Sequence, residues 1–386
     1  MDTHLDALLQ TELDRLTAVN RRRRLRPVQW RDGGMHDAAG RPLIDASSND
    51  YLGLSQHPLV KQRAAEWAQR HGAGAPASRL ITGTRDITLA VEEKLAAFKG
   101  CEAALLFNTG FQANATVIPA LTGVGAGETV IFSDALNHAS IIHGVRMARR
   151  PTEIFHHNDL AHLDQLLARH RGRKLILTES VFSMDGDRAD LPALVALAER
   201  HGAALYVDEA HATGVCGPQG RGLAAECGGI DIVMGTLGKA VGAFGAYIAG
   251  SRALIDYLVN RCSGFIYTTA LPPPVLGAVD AALDLIPSMD TERTRLATHA
   301  QHLREALAAV GLSTQQSTTQ IVPAIIGSEA AALAAAKKLD DAGILAVAIR
   351  PPTVPEGTSR LRFALSSSLD DEAMARLLAA VKTIPD

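Results

Sequence analysis

The sequence predicts an α/β protein in which helices wrap a mostly parallel sheet. Short apolar runs rich in β-formers alternate with helical stretches from Ala103 onward. A proline cluster then precedes a long Ala/Leu-rich helix, and residues 287–386 have the pattern of a compact α+β lobe. The chain has 386 residues, of which 47% are hydrophobic and 20% charged. This composition supplies enough apolar side chains for a sizeable core.

The first predicted element is an amphipathic helix with leucines at helical spacing: Leu5, Leu8, Leu9, Leu13 and Leu16. Asp2, Asp6 and Glu12 interrupt it, and it lacks the apolar region of a signal peptide. A basic run, Arg21–Arg24 and Arg26, follows. Two interpretations of this run stay open, namely a solvated helix end and a contact for an anionic substrate.

The central part alternates strands and helices. Helical stretches include Ala161–Arg171 and Leu191–His201. The predicted strands are ALLFN (104–108), TVIFS (129–133), KLILTESVF (174–182), ALYVDEAH (204–211), DIVMGTLG (231–238) and GAYIAG (245–250). Open α/β folds place ligands at the carboxyl ends of such strands. The polar residues at those ends are therefore the candidates for a site.

The C-terminal part begins after the prolines at 272–274, with a helix running towards Ile286. The pattern then predicts helices at Thr291–Val310, Glu329–Ala342 and Asp370–Thr383, and strands at Ile321–Ile326, Ala346–Ile349 and Leu361–Leu365. We expect three segments: residues 1–45 with the N-terminal helix, a large domain over 46–286, and a small α+β domain over 287–386.

Composition narrows the function classes. With 38 Lys+Arg against 41 Asp+Glu, the net charge of −3 gives no cationic surplus for nucleic acid or an anionic membrane. The four cysteines form no CxxC pair, which favours a reducing cytoplasm. No apolar run reaches the roughly 20 residues of a membrane span. Histidines at HExxH spacing are absent from the sequence, and no metal site is expected.

Asp208 to His211 spells a helicase box, but that chemistry needs a GxxxxGK[ST] loop, which the sequence lacks. Taken singly, Asp208 could cap a loop and Lys239 could be a solvated cation. Together they offer a carboxylate for a pyridinium nitrogen and a lysine for a Schiff base, as pyridoxal phosphate enzymes require. Hydroxyls and amides near Gly110, Thr236, Thr268 and Thr269 are candidates for binding a phosphate.

Motifs along the chain carry a family resemblance. They are NDYLGL (49–54), SRLITGT (78–84), FNTGFQAN (107–114), DALNHAS (134–140), ESVFSMDGD (179–187), VDEAHATG (207–214), GTLGKAVG (235–242) and RPPTVPEGTSRLR (350–362). In this order they resemble the α-oxoamine synthases. These are fold-type I pyridoxal phosphate transferases with a mostly parallel seven-stranded sheet, which condense an amino acid with an acyl thioester and lose CO₂. The IRPPTVP segment and the arginine run resemble most the biotin-pathway member that joins L-alanine to pimeloyl-CoA or a pimeloyl carrier protein.

The resemblance implies a role for each matching residue. The segment 46–286 would bind the cofactor, pyridoxal 5′-phosphate. Lys239 would form the Schiff base, Asp208 would pair with the ring nitrogen, and His138 would stack on the ring. The phenolic oxygen would be bound by His211 and Ser183, and the phosphate by the amides of Gly110 and Phe111, by Thr236, and by Thr268 or Thr269 of a partner subunit. The active site would then be shared across a homodimer.

The substrate side follows from the same resemblance. Asn49 and Arg360 fit the amino-acid carboxylate, and Ser78 leaves room for the methyl group of alanine. Arg23, Arg350 and Thr353 lie in segments on the acyl side. Because side chains alternate along a strand, we expect Arg360 to face the site and Arg362 to face solvent.

Other assignments stay open at this point. Within the family, the chain could be a glycine C-acetyltransferase, a 5-aminolevulinate synthase or a serine palmitoyltransferase, which differ in amino acid and acyl length. Outside it, an aminotransferase or lyase would share Asp208 and Lys239 but would consume no acyl thioester.

Overall fold

The computed structural model describes residues 3–31, 33–125 and 127–384. The chain divides into two compact units. The first unit comprises Met1–Ser48, Met184–Gly186 and Arg295–Asp386, and the second comprises Asn49–Ser183 and Asp187–Thr294. The three segments expected from sequence, with boundaries at 45 and 286, stay a prediction.

The strands of the described residues, in chain order, are β1 (Val28–Arg31), β2 (Gly34–Asp37), β3 (Pro42–Asp45), β4 (Ala103–Phe107), β5 (Thr129–Asp134), β6 (Thr152–Phe155), β7 (Arg173–Glu179), β8 (Ala203–Asp208), β9 (Ile232–Thr236), β10 (Ala246–Gly250), β11 (Ile321–Gly327), β12 (Ile344–Leu345), β13 (Val347–Ile349) and β14 (Ser359–Ala364).

The α-helices of the same residues are α1 (His4–Ala18), α2 (Pro58–His71), α3 (Asp86–Lys99), α4 (Gly110–Thr122), α5 (Ala139–Ala148), α6 (Leu160–Arg169), α7 (Leu191–His201), α8 (Ala224–Cys227), α9 (Arg252–Arg261), α10 (Ser263–Ile266), α11 (Pro273–Leu285), α12 (Asp290–Ala309), α13 (Glu329–Asp341) and α14 (Asp371–Val381). Within the described part of the chain, no helix combines the length and apolarity that crossing a bilayer requires.

The second unit is built on a seven-stranded sheet in the order β4-β10-β9-β8-β7-β5-β6. The pairs among β5 to β9 are parallel, whereas β10 runs antiparallel to both of its neighbours. This confirms the predicted α/β class with a mostly parallel sheet. Because β8 and β9 are parallel, Asp208 and Thr236, which end them, lie at the same edge of the sheet.

Both faces of this sheet are buried, and alternate residues of each strand serve opposite faces. Ile131 and Tyr206 belong to one core cluster, which also takes side chains from α4, α5 and α9. Phe132, Leu205 and Val207 belong to the other, with side chains from α6 and α7. The near-continuous apolar runs in the sequence follow from this two-sided burial.

The first unit contains two small sheets. One has the order β1-β2-β3-β12, in which β3 and β12 are parallel. The other is the antiparallel sheet β11-β14-β13. With α12, α13 and α14, the strands β11 to β14 form the α+β lobe that the C-terminal pattern predicts, and β1 to β3 of the N-terminal segment belong to the same unit.

Some expectations were wrong in detail. The strand predicted at 174–182 ends at Glu179, because the chain then turns back and Val181 pairs with Arg188. The edge strand β6 and the strands β1 to β3 were not predicted. Arg362 does not face solvent, since only 6% of its surface is exposed, and Arg360 in the same strand is equally buried at 4%.

Candidate active site

Asp208 is held rigidly where β8 ends. It is buried, and both of its carboxylate oxygens accept hydrogen bonds. Oδ1 accepts from the backbone N–H of Ala210 at 2.8 Å, and Oδ2 accepts from Asn114 Nδ2 at 2.8 Å. A buried carboxylate needs such donors, because burial without them is costly. The negative charge is therefore fixed at the carboxyl edge of the sheet, as the strand-end argument predicts.

Lys239 lies at one end of a chain of hydrogen bonds. Its Nζ is 2.7 Å from His211 Nε2, and His211 Nδ1 is 2.6 Å from the hydroxyl of Tyr51. The Tyr51 hydroxyl donates to Asn49 Oδ1 at 3.0 Å. Tyr51 and Lys239 therefore hold the two ring nitrogens of His211 from opposite sides.

His138 follows β5 and caps the N-terminus of α5. Its backbone N–H donates to Glu179 Oε1 at 2.6 Å, and its Nδ1 is 2.7 Å from Ser140 Oγ. Burial lowers the pKa of His138. The charge of Asp208 raises this pKa and the charge of Lys239 lowers it, and the net shift is downward. Burial, and next the charge of Asp208, raises the pKa of Glu179 well above its ordinary value. The ring is therefore neutral near neutral pH.

The N-terminus of α4 lies beside the end of β9. A Cβ placed on Gly110 would be 4.0 Å from the Cβ of Thr236, and Thr109 caps the helix by accepting from the Gln112 amide. Asn108 Nδ2 is 3.4 Å from Thr268 Oγ1 and 2.9 Å from the carbonyl oxygen of Thr269 in the same chain. Phe111 is half-exposed on the first turn. Backbone amides at a helix N-terminus and nearby hydroxyl groups are donors that can bind an anion such as a phosphate.

These residues fit pyridoxal phosphate. The second unit offers a primary amine at Lys239, a fixed carboxylate at Asp208 and a helix N-terminus with adjacent hydroxyls. A Cβ added at Gly110 would lie 3.6 Å from the end of the Met234 side chain and 4.0 Å from the Cβ of Thr236, so the start of α4 adjoins β9. Amine, carboxylate and phosphate-binding amides are the three groups that this cofactor requires.

Ser183 and Ser78 complete the predicted residues of the second unit. Ser183 is buried at 7% exposure in the loop that follows β7. Ser78 forms an isolated β-bridge with Thr269, so the structure links it to the Thr268–Thr269 segment.

Arg360 belongs to the first unit, on β14. Its NH1 donates to Asp185 Oδ1, and its Nε donates to the Thr358 carbonyl oxygen at 3.1 Å. Asp185 lies in the short segment Met184–Gly186 that belongs to the same unit. The guanidinium is therefore buried, paired with a carboxylate and fixed in one orientation.

The predicted basic residues Arg23 and Arg350 lie near the end of α1. Arg23 donates to Thr353 Oγ1 at 3.4 Å, and Arg350 donates to the carbonyl oxygen of Asn20. Burial, and next the positive charge of Arg23, lowers the pKa of Arg350. Arg21 is half-buried and pairs with Glu329 at 2.8 Å. The arginine run is thus more than a solvated helix end.

Several residues of the site were not singled out from sequence. They are Tyr51, Asn114, Ser140, Glu179 and Tyr206. The first four lie inside the motifs NDYLGL, FNTGFQAN, DALNHAS and ESVFSMDGD, so the motifs themselves were the available signal. Tyr206 is a polar aromatic residue in an otherwise apolar strand, and its hydroxyl has to find a buried partner.

A buried ion pair lies directly beside Asp208 in the chain. Lys99 Nζ is 2.7 Å from Glu209 Oε2, with side-chain exposures of 1% and 0%. Burial opposes the charge of Lys99, but Glu209 and Tyr247 together outweigh it and raise the pKa of Lys99. Glu209 Oε1 also accepts from the Ala224 N–H at 2.8 Å, so this pair anchors the turn after β8.

Comparisons with known proteins identify the family of this chain. Residues 41–381 match the family model described as aminotransferase class I and II. A putative 8-amino-7-oxononanoate synthase of Bordetella pertussis is 57% identical over 383 residues, which cover 98% of this chain and 96% of the relative. The 8-amino-7-oxononanoate synthase of Gluconacetobacter diazotrophicus is 55% identical over 390 residues, covering 98% and 97%. A solved structure of SPT with a PLP internal aldimine superposes with a TM-score of 0.91 at 29% identity, covering 98% of this chain and 97% of that one.

Proposed function

Since this chain belongs to the class I and II aminotransferase family and, within it, to the α-oxoamine synthases, we propose that it condenses L-alanine with a pimeloyl thioester. The product is 8-amino-7-oxononanoate, an intermediate of biotin biosynthesis, with loss of CO₂ and release of the thiol. One observation carries the choice of substrates: relatives named 8-amino-7-oxononanoate synthase, three of them putative, include chains 55% to 57% identical over 98% of this chain.

The enzyme is a pyridoxal phosphate dependent C-acyltransferase. When bound, the cofactor withdraws electrons from the α-carbon of the amino acid and so stabilises a carbanion there. In our proposal Asp208 pairs with the ring nitrogen, His138 stacks on the ring, and His211 with Ser183 binds the phenolic oxygen. The phosphate is bound by the amides of Gly110 and Phe111 and by the hydroxyls of Thr236 and Thr268 or Thr269.

Lys239 is the proposed base. Its Nζ takes the proton from the α-carbon of alanine and later returns a proton to the product. The contact with His211 Nε2 supports this role, because it holds the amine in one place. The hydroxyl of Tyr51 holds the His211 ring from the other side.

The substrate contacts are also proposals. Asn49 and Arg360 bind the carboxylate of alanine, and Ser78 borders its methyl group. Arg23, Arg350 and Thr353 bind the pimeloyl end, and the mutual repulsion of the two guanidinium groups supports an anion there, because a carboxylate between them relieves it. Whether coenzyme A or a carrier protein delivers the acyl group is an outcome of the assay below.

We further propose a cytoplasmic homodimer. The support for a dimer is the exposed apolar side chains beside Ser78 and Thr268: Leu80, Ile81 and Tyr267 are 51%, 76% and 84% exposed. All four cysteines are free, which suits a reducing compartment. Sedimentation at micromolar concentration is expected to give twice the mass of the chain, and a monomer would contradict a shared site.

The function is tested by mass spectrometry of the product together with a thiol assay. L-Alanine with pimeloyl-CoA or pimeloyl carrier protein is expected to give 8-amino-7-oxononanoate and one thiol per turnover. Parallel reactions use glycine with acetyl-CoA or succinyl-CoA, L-serine with palmitoyl-CoA, and L-alanine with a keto acid. Faster turnover in any of these would refute the proposed substrates. The Lys239→Ala variant is the control and is expected to give no product.

A further inference from the structure

Asn114 lies on α4, one turn after Gly110, and none of its surface is exposed. Its Nδ2 donates to Asp208 Oδ2 at 2.8 Å and to Ser140 Oγ at 2.9 Å. Its Oδ1 accepts from the Tyr206 hydroxyl at 2.6 Å. Burial raises the pKa of Tyr206 well above its ordinary value, so this hydroxyl retains the proton that it donates. The amide therefore has one possible orientation, since a flip would set its oxygen against the Asp208 carboxylate.

A chain of hydrogen bonds leads from Asn114 through Ser140 to His138. Because Ser140 Oγ accepts from Asn114, its own proton is available to His138 Nδ1, 2.7 Å away. The backbone N–H of Ser140 donates to the same Nδ1 at 3.2 Å. Nδ1 is thus an acceptor, and the neutral ring has its proton on Nε2. Asn114 accordingly positions a carboxylate and, through Ser140 Oγ, supports the imidazole tautomer that the Ser140 backbone N–H also requires.

We propose that Asn114 is a positioning residue of the cofactor site, which holds the Asp208 carboxylate and, through Ser140, the His138 ring in the arrangement that binds pyridoxal phosphate. The inference rests on the proposed function only in so far as Asp208 and His138 face the cofactor. Asn114 itself acts through these two residues. Since Gly110 begins the same helix, α4 links the proposed phosphate site to the proposed partner of the ring nitrogen.

The first experiment measures the dissociation constant of pyridoxal phosphate for the full-length chain in two variants. Asn114→Ala is expected to weaken binding about 10- to 100-fold, the range for losing a hydrogen bond to a charged group. Asn114→Asp keeps the shape but replaces the donor by an acceptor. It is expected to bind more weakly than Asn114→Ala at pH 8, and to recover towards the wild type at pH 6, because a proton shared by the two carboxylates restores a donor.

A role in packing alone predicts the reverse order, with Asn114→Asp better than Asn114→Ala and no change of their ratio with pH. That result would overturn the proposal. Should Asn114→Ala fail to fold by circular dichroism, Asn114→Asp is compared with the wild type instead: recovery of cofactor binding from pH 8 to pH 6 supports the proposal, and the absence of recovery overturns it.

The second experiment tests whether Tyr206 acts through Asn114. Tyr206→Phe alone is expected to weaken cofactor binding about 3- to 10-fold, and to add nothing in the Asn114→Ala background, because that variant already lacks the oxygen to which the Tyr206 hydroxyl donates. Tyr247→Phe is the matched control, since Tyr247 is equally buried but bonds to Thr213 at 2.7 Å. Additive losses, or equal losses in the control, would overturn the proposal. Failure of the proposed function appears differently, as a wild type that binds the cofactor but makes no 8-amino-7-oxononanoate.

Discussion

His157 bridges two carboxylates and gives a pH-dependent contribution to stability. Its Nδ1 is 2.9 Å from Asp134 Oδ1 and its Nε2 is 2.8 Å from Asp187 Oδ2. Burial disfavours the charged ring, but the hydrogen bonds to Asp134 and Asp187 outweigh it and raise the pKa to about 10 from the ordinary 6.5. At about 1.36 kcal/mol per pKa unit, the ceiling is about 5 kcal/mol. Since the side chain is 25% exposed, we expect about 2 to 3 kcal/mol after solvent screening.

The sign of the pH dependence follows from linkage. The pKa in the folded state lies above that in the unfolded state, so the contribution is complete below about pH 6.5 and is lost as the pH rises towards 10. The free energy of unfolding in urea is measured at pH 6, 8 and 9.5 for the wild type and for His157→Gln. The difference is expected to shrink steadily with pH. His156→Gln is the control, because His156 is 78% exposed and should change little. A difference for His157→Gln that is constant from pH 6 to 9.5 would refute the reasoning.

Three further outcomes are expected. Lys99→Met leaves Glu209 charged and buried, so it should lower the free energy of unfolding by about 3 to 5 kcal/mol. The double variant Lys99→Met, Glu209→Leu should recover most of this loss. If it does not, the loss is not caused by an unpaired buried charge. Gly186→Ala should lower the melting temperature far more than Gly202→Ala. Both glycines have positive φ, but a Cβ at residue 186 would overlap the Ile321 carbonyl oxygen, whereas a Cβ at residue 202 would have none of the described atoms of other elements within 4 Å. Arg360→Ala should raise KM for alanine more than KM for pimeloyl-CoA in steady-state kinetics, and the opposite split would reassign Arg360 to the acyl side.

The sequence was sufficient to predict the residues of the site that lie at the ends of strands. Asp208 follows from an apolar strand that ends in a carboxylate, and its edge of the sheet follows from the parallel order. Asn114 could not be found in this way, since its bond to Asp208 joins residues 94 positions apart. Tyr51 and His211 are 160 positions apart. Such contacts depend on which helix packs against which strand, and hydrophobic periodicity does not predict that packing.

The missed strands have a similar cause. β1, β2, β3 and β6 each have four residues, too few for a clear alternation of apolar and polar side chains. The burial of Arg362 was missed because β14 is buried along its whole length, so alternation along the strand does not separate a buried face from an exposed one.

The parallel pairing of β3 with β12 affects the order in which the chain can fold during synthesis. Ile44 lies opposite Ile344, and Ile44 N–H donates to the Gly343 carbonyl oxygen at 2.8 Å. At roughly 5 to 20 residues per second, a ribosome needs about 15 to 60 s to make the intervening stretch. For that time the edge of β3 has no native partner, and an unpaired edge is a template for pairing with other chains. A nascent chain released before residue 344 therefore carries an open strand edge near its N-terminus, so synthesis of about the last ninth of the chain is needed to cover an edge formed in about the first eighth.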